Sequence, residues 1–294
     1  MDWTPKTPAS RTGRARAPRL SAEEVRDRMV RQGVEVIRAR GLTVGLDEVR
    51  MEDLISAAEV PRSSVWRIWP GKWDYLVDVL ASAADPDGAN LLRPHEDTRT
   101  LEIAVGVVHD RPELLATPEG RRTLFVETVR IALEHNYRVH STSTMWRTYM
   151  ALLSTVTAIA DDDARMKIAN RLQAAERSGF IAVMAEFYEG LSAALGLRLR
   201  EERYTFEHIA LAGSALVEGL AIRNAILEAE EGAGPGPGDP TLDELLHGRL
   251  PGPGGSDQWT TTALAFLGIA DTFLEPDPDF VVPDDLTPPA VPPR

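Results

Sequence analysis

A short run of basic and polar residues is the part of this sequence whose chemistry stands out. Arg62, Ser63 and Ser64 open a segment with helical periodicity, and Arg67 lies one helical turn after Ser63. An arginine pairs with two acceptor atoms of guanine, and a serine hydroxyl bonds to several base edges. Residues 61–73 contain three basic side chains and no acid, so the run has the local positive charge that phosphate binding needs. These residues are candidates for contact with double-stranded DNA, and a solvated helix face is the alternative for the arginines.

Three further side chains beside this run are candidates for the same contact. Lys72 begins the next predicted helix, where its ammonium and the free backbone N–H groups could both meet a phosphate. Trp66 carries an indole N–H that can donate to a phosphate, and packing in the core is the alternative for its ring. Arg50 stands at the start of a short predicted helix. Its type and position do not decide between DNA contact and exposure to solvent.

No catalytic or metal-binding signature accompanies these residues. The sequence contains no cysteine and no Walker A, dinucleotide-binding, zinc-protease or nucleophile-elbow motif. His135 and His140 are five residues apart, so a helix places them on different faces, unlike the i, i+4 pair of a zinc helix. The consecutive residues Asp161, Asp162 and Asp163 would point in different directions. We therefore expect neither an enzyme nor a bound metal or cofactor.

Composition and charge narrow the class of protein. Hydrophobic residues make up 43% of the 294 residues, which excludes wholesale disorder. No apolar stretch reaches the roughly 18 residues of a membrane span, and the absence of cysteine fits a cytoplasmic protein. The net charge of −13 is unevenly distributed: residues 1–80 hold 14 basic and 12 acidic side chains, whereas residues 81–294 hold 18 and 33. An N-terminal surface for DNA is therefore compatible with the acidic average.

Helical periodicity dominates the chain, and no segment alternates with the period of a strand. Ser21 and Glu24 have the spacing of a capping box, and they open a first helix that Gly41 ends. The sequence predicts an all-α fold. The later predicted helices are, in chain order, residues 51–58, 61–69 and 73–84, a helix from 118, and residues 161–195, 204–230 and 256–274.

The stretch from Leu54 to Leu76 resembles the tetracycline-repressor (TetR) family of bacterial transcription regulators, whose pattern is roughly I-A-x-x-A-G-V-S-x-x-T-L-Y-x-x-F-x-x-K-x-x-L. With the preceding helix, the resemblance covers about residues 21–80. Glu59 stands where the family has glycine. Either this glutamate adopts a left-handed conformation at a cost on the order of 1 kcal/mol, or the turn is built differently. The matching residues are Ala58, Val60, Lys72 and Leu76, with Ser64, Trp66 and Trp69 in place of the family's threonine, tyrosine and phenylalanine.

This resemblance implies an all-α homodimer with two domains. Residues 21–85 would form a helix-turn-helix DNA-binding head of three or four helices, and residues 95–274 a larger helical domain for dimerisation and effector binding. The helices near 204–230 and 256–274 would pair across a two-fold axis. The stretch Val217-Glu218-Gly219-Leu220 is similar to part of the family's first dimerisation helix. The implied function is a ligand-responsive repressor that binds a palindromic operator.

The chain ends and the effector pocket lie outside the motif itself. We expect residues 1–20 to form a disordered basic arm and residues 275–294 to form a disordered acidic tail rich in proline. Pockets of the family lie among the middle helices, here about residues 118–200, and a small apolar or aromatic compound is the default ligand. Core packing is the alternative for each candidate in that region. These candidates are Trp146, Tyr149, Met150, Met184 and Phe187.

Two other functions are compatible with the sequence. The departures at Glu59 and Trp66 allow an α-helical enzyme or ligand-binding protein with a degenerate head. The Pro/Gly-rich residues 232–255 and the acidic tail allow a module that recruits partners. Binding to DNA separates the regulator from both alternatives.

Overall fold

The computed structural model describes residues 20–41, 50–85, 98–227 and 240–282. These residues are mostly helical, which confirms the predicted all-α class. None of their helices combines the length and the apolar character that crossing a membrane requires. Most of the predicted basic arm, the segment between the two predicted domains and residues 283–294 of the predicted tail lie outside the described residues.

Capping signals start and end the first helix as the sequence predicts. The Ser21 hydroxyl accepts from the Glu24 N–H, and the Glu24 carboxylate accepts from the Ser21 N–H, so two otherwise unpaired donors are satisfied. Gly41 ends the helix with a positive φ of 77°. The N-terminal helices are α1 (Ala22–Arg40), α2 (Met51–Ala57), α3 (Arg62–Ile68) and α4 (Lys72–Ala83).

Close packing of α1 against α4 fixes the core of this N-terminal part. A Cβ atom on Gly33 would lie 2.5 Å from the Tyr75 hydroxyl oxygen and 2.6 Å from Val79, so glycine allows the approach. The Tyr75 hydroxyl donates to the Met29 carbonyl at 2.9 Å. Trp69, which follows α3, is 2% exposed and packs edge-on against Tyr75 with ring centroids 5.2 Å apart. Trp69 is therefore part of the core of the N-terminal helices.

The C-terminal part is a larger set of helices. Asp161 caps α8, because its carboxylate accepts from the Ala164 N–H at 2.7 Å. From α8 to α9 the chain stays helical, with a π-helix in between, as predicted for residues 161–195. The elements are α5 (Thr98–His109), a 3₁₀ turn (Pro112–Ala116), α6 (Pro118–Thr142), α7 (Thr144–Ala158), α8 (Asp162–Ala174), the π-helix (Ala175–Ile181), α9 (Ala182–Ala194), α10 (Phe206–Ala225), α11 (Leu242–His247), a 3₁₀ turn (Pro253–Gly255) and α12 (Thr261–Phe273).

Helices α6, α10 and α12 pack around a second hydrophobic core. Leu124 and Ile209 are almost fully buried in it. Phe266 of α12 lies against Gly213 of α10, where a Cβ atom would come within 2.5 Å of the ring. Helix α12 begins at Thr261, five residues later than expected. Residues before it instead form a β-bridge that buries Trp259 against Leu250.

A small sheet corrects two sequence-based expectations. No strand is predicted, yet β1 (Leu197–Leu199) and β2 (Leu274–Pro276) pair antiparallel. Three residues are too few to show an alternating pattern in the sequence. The predicted disordered tail is also wrong for residues 275–282: after β2 the chain turns, and the Arg121 guanidinium lies 4.7 Å from the centre of the Phe280 ring. Contacts with residues far away in the sequence give this segment its structure.

Asp78 of α4 joins the N-terminal helices to α8. Its carboxylate accepts from the Trp69 indole N–H at 2.8 Å and from Lys167 Nζ of α8 at 2.5 Å, and it pairs with Arg26 of α1. Burial raises the pKa of Asp78, but the hydrogen bonds from Lys167 and Trp69 and the two positive charges outweigh burial and hold it below its ordinary value. The first hydrophobic cluster likewise continues from α1–α4 into α7 and α8.

Candidate functional sites

The turn between α2 and α3 is left-handed at Glu59, the position where the resembling family has glycine. Glu59 has a φ of 52°, and it is the one non-glycine residue with positive φ in the described residues. The Val60 N–H donates back to the Ile55 carbonyl at 3.4 Å, and both side chains are buried. This is the Schellman arrangement, which requires a left-handed residue just after the helix. The first of the two expectations for Glu59 is therefore correct, and the turn is not built differently.

One face of α3 is buried and the other faces solvent. Val65 is fully buried. Arg62, Ser63 and Arg67 are exposed, whereas Ser64 is half-buried. The side chains selected for DNA contact therefore project from a helix whose opposite side is fixed in the core. Arg50, which precedes α2, is exposed as well.

Arg62 has an acidic neighbour that the sequence spacing does not reveal. Its Nη2 lies 2.9 Å from the Glu52 Oε1 of α2, and the two side chains are 69% and 55% exposed. Exposed ion pairs of this kind contribute little to stability. A phosphate or a guanine can therefore compete with Glu52 for the guanidinium at low cost.

The remaining two candidates for DNA contact are less exposed. Trp66 is half-buried and packs against the core of α1–α4, so its ring serves packing at least in part. Lys72 begins α4, as predicted, and is also half-buried. Both lie at the edge of the surface that Arg62, Ser63 and Arg67 form.

A cavity in the C-terminal part is the second candidate site. The cavity has a volume of about 130 Å³. Its walls come from α5, α6, α7, the π-helix, α9, α10 and α12 together with β2, and they are mostly apolar. Cavities of this size with apolar walls bind a single aromatic ring. Representative wall residues are Leu101, Phe125, Phe187, Ile209 and Phe266.

Two carboxylates line this cavity. Glu176 of the π-helix accepts a hydrogen bond from the Tyr149 hydroxyl. Burial and the charge of Glu176 raise the pKa of Glu218, on α10, to about 7. Burial, followed by the bond to Glu176 and the charge of Glu218, raises the pKa of Tyr149. The three groups therefore form one coupled acidic cluster.

Trp146 adds an unused donor to the same cavity. It lines the cavity and is 4% exposed. No acceptor in the described residues takes a hydrogen bond from its Nε1. A buried indole N–H usually has a partner, and leaving it unpaired costs free energy. The cavity thus combines mostly apolar walls with Glu176 and Glu218, with Trp146, whose N–H has no acceptor in the described residues, and with other polar side chains that include Asn136 and His140.

The structure brings together some of the residues predicted for an effector. Trp146, Met184 and Phe187 line the cavity. Tyr149 and Met150 do not, because α7 turns them toward the cluster that it shares with α1–α4. Tyr149 reaches the site through its hydroxyl alone, by way of Glu176.

The sequence analysis missed the polar groups of the cavity. Glu176 has no signal in its neighbourhood that separates it from other surface acids. Glu218 lies in the stretch that resembles a dimerisation helix, yet its side chain lines the cavity. The two acids lie on different elements, so only the packing of α10 against the π-helix brings them together.

Comparisons with known proteins assign no role to these two sites. No protein-family model matches this chain, and no curated protein matches its sequence significantly. Within the described residues, no group of three or more histidine, aspartate or glutamate side chains is arranged to hold a metal ion. Functional assignment therefore depends on the geometry of α3 and of the cavity.

Proposed function

We propose that this protein is a ligand-responsive, sequence-specific DNA-binding transcription regulator of the TetR type, which acts as a homodimer on a palindromic operator in the cytoplasm. One observation carries the proposal: the left-handed turn at Glu59 sets α3 beside α2, with Arg62, Ser63 and Arg67 exposed. In a helix-turn-helix unit, the second helix presents its N-terminal side chains to the major groove. Arginine and serine at these positions suit base edges and phosphates.

An exposed apolar face on α10 supports the dimer. Leu211, Ile222 and Ile226 are 53%, 45% and 56% exposed. They recur at i, i+11 and i+15, so they lie along one side of the helix. Large apolar side chains in a row on the surface favour a second protein surface as their cover. A self-complementary pairing of α10 with its copy, together with α12, would bury them.

A chain of contacts supports communication between the cavity and α3. Glu176 lies near the start of the π-helix that continues α8. On α8, Arg171 binds Asp85 at 2.6 Å and Lys167 binds Asp78 at 2.5 Å. Asp78 in turn holds Trp69 at the end of α3. A ligand that binds one arrangement of α8 better than another would shift the heads of the dimer between two spacings.

Selection from a random duplex library tests the proposal. The full chain is incubated with the library at moderate salt, and bound duplexes are sequenced after several rounds. We expect an inverted repeat, because a two-fold dimer binds two equivalent half-sites. The variant Arg62→Ala with Arg67→Ala is the control and should lose the enrichment. A library with no enriched sequence would contradict the proposal.

The cavity favours a second candidate function, an α-helical ligand-binding protein or enzyme with a degenerate head. Glu218 is a carboxyl whose pKa is raised to about 7 by burial and by Glu176, and perturbed groups of this kind cluster at functional sites. Ligand binding in the cavity without any enriched duplex would support this candidate over the regulator.

A further inference from the structure

We propose that the cavity binds an organic cation, with an apolar body of about one aromatic ring, an ammonium group and a hydrogen-bond acceptor close to the charge. This inference rests on the proposed function, because the cation would be the effector of the regulator. It assigns each part of the ligand to one part of the cavity: the ring to the apolar walls, the ammonium to Glu176 and Glu218, and the acceptor to Trp146.

The charge of the cavity selects a cation. Glu176 and Glu218 both line it, and none of the described side chains that line it is a lysine or an arginine. Two carboxylates that repel one another in a partly desolvated site are relieved by a positive charge between them. An anionic ligand would meet repulsion at the same place. The Tyr149 hydroxyl, which donates to Glu176, fixes that carboxylate without neutralising it.

Trp146 gives a second and independent requirement. Trp146 lines the cavity, and its buried indole N–H has no acceptor among the described residues. An ammonium group has no lone pair to offer, so it cannot satisfy this donor. A ligand oxygen next to the charge can do so. Trp146 also lies one helical turn from Tyr149 on α7, and the Tyr149 hydroxyl donates to Glu176.

The size and walls of the cavity limit the apolar part. The open space of about 130 Å³ is close to that of apolar cavities that accept benzene. Met184, Phe187 and Phe266 contribute flexible or aromatic walls, and an aromatic ring packs well against such side chains.

Three matched probes separate the two polar requirements. Phenylethanolamine carries the ammonium and a hydroxyl, phenylethylamine carries the ammonium alone, and phenylethanol carries the hydroxyl alone. Isothermal titration calorimetry of the full chain with each probe gives the dissociation constants. We expect phenylethanolamine to bind about tenfold more tightly than phenylethanol, as one charge interaction of moderate strength provides. Phenylethylamine should lie between the two.

Substitutions assign each gain to its residue. Glu218→Gln should reduce the advantage of the two amines over phenylethanol by about tenfold, and glutamine resembles the protonated carboxyl closely enough to keep the fold. Trp146→Phe should abolish the advantage of phenylethanolamine over phenylethylamine and leave the preference for amines intact. Glu186→Gln, an exposed acid on α9 outside the cavity lining, is the control for the loss of one negative charge and should change neither ratio.

Each other outcome overturns the inference. Phenylethanol binding as tightly as the amines, an unchanged preference for amines in Glu218→Gln, or no measurable binding of any probe would do so. The duplex selection is independent of these titrations. Amine binding without an enriched duplex would leave the cavity assignment intact and overturn the proposed function, and an enriched duplex without amine binding would do the reverse.

Discussion

Two buried tryptophans show how differently the two parts of this protein are built. The Trp69 indole N–H donates to Asp78 at 2.8 Å, and the Trp69 ring packs against Tyr75. Trp146 is buried to a similar degree, yet its N–H has no acceptor in the described residues. Around Trp69 the polar groups satisfy one another, so that region holds α3 in place. Around Trp146 the described residues supply no acceptor for the indole N–H.

The same contrast holds for shape and charge. The surface of α3 is exposed and presents Arg62 and Arg67, whereas the cavity is largely enclosed and presents Glu176 and Glu218. The proposed regulator would use both: the surface of α3 for a polyanion and the cavity for a small molecule. The two buried tryptophans therefore differ in their hydrogen bonding rather than in their burial: Asp78 accepts from Trp69, whereas Trp146, which lines the cavity, has no acceptor in the described residues.

The largest expected effect comes from the two tryptophans themselves. Trp69→Phe should lower the free energy of unfolding by about 3 kcal/mol, because it removes a hydrogen bond to a charged group and leaves a small cavity. Trp146→Phe should cost no more than about 1 kcal/mol, since the new cavity destabilises the protein while the loss of an unpaired buried donor offsets part of that cost. Urea denaturation followed by circular dichroism measures both. Equal losses of stability in the two variants would contradict the contrast between a hydrogen-bonded and an unpaired indole N–H.

The second expected effect is a pH dependence that Glu218 causes. The folded state holds the proton of Glu218 more tightly than the unfolded state, because burial and Glu176 raise its pKa to about 7. This contribution is present below the ordinary pKa of a glutamate and is lost as the pH rises through about 7. Glu218→Gln should therefore be more stable than the unmodified protein at pH 8 by about 2 kcal/mol. The difference should vanish toward pH 4, in denaturation experiments across that range.

The exposed control keeps this second prediction specific. Glu186→Gln removes the same charge from α9 at a position outside the cavity lining. Its stability relative to the unmodified protein should not change between pH 4 and pH 8 by more than about 0.5 kcal/mol, as expected for a surface substitution. A gain at pH 8 in both variants would mean that net charge, and not the cavity, causes the effect.

The third expected effect concerns Arg62. If it reads a base, Arg62→Ala should weaken binding to the selected duplex by about 1–3 kcal/mol while the dimer stays intact in size-exclusion chromatography. Glu52→Gln breaks the same ion pair but leaves the guanidinium free for DNA. That variant should bind as tightly as the unmodified protein or more so in a gel-shift titration. A loss of affinity in Glu52→Gln equal to that in Arg62→Ala would make the arginine a structural residue.

The smallest expected effect lies in the turn before α3. Glu59 has a φ of 52°, which is unfavourable for a residue with a Cβ atom. Glu59→Gly should raise the free energy of unfolding by about 0.5–1 kcal/mol, because the strain that it removes exceeds the entropy that glycine loses. Glu59→Ala keeps the Cβ atom and should give no gain. Thermal unfolding of both variants tests whether strain is the cause.

The α2–α3 turn was accessible from the sequence because its signals are local. The spacing from Ala58 to Pro61 is short, and Glu59 departs from the pattern of the resembling family without changing the conformation of the turn. The helical period separates the buried Val65 from the exposed Arg62 and Arg67 within a single helix. The sequence did not reveal that Glu52 pairs with Arg62, since this depends on the angle at which α2 meets α3.

The cavity could be predicted only in part. The sequence predicts that bulky residues in the middle of the chain line an effector pocket, and Trp146, Met184 and Phe187 do line the cavity. Tyr149 and Met150 lie outside its walls. Both sides of α7 are apolar, and the sequence does not tell which side faces the cavity. The sheet was missed for a related reason: β1 and β2 are stable only as a pair of distant segments.

By itself, the sequence determined the helical class, the ends of α1 and the exposed side of α3, because capping and the 3.6-residue period act between neighbours in the chain. The packing of distant helices decided that Glu218 lies close enough to Glu176 to feel its charge, that Asp78 accepts from Trp69 and that no acceptor in the described part of the chain is left for Trp146. Those outcomes depend on how several helices share one interior. The free energy of burying a polar group there is fixed by neighbours that no local pattern encodes.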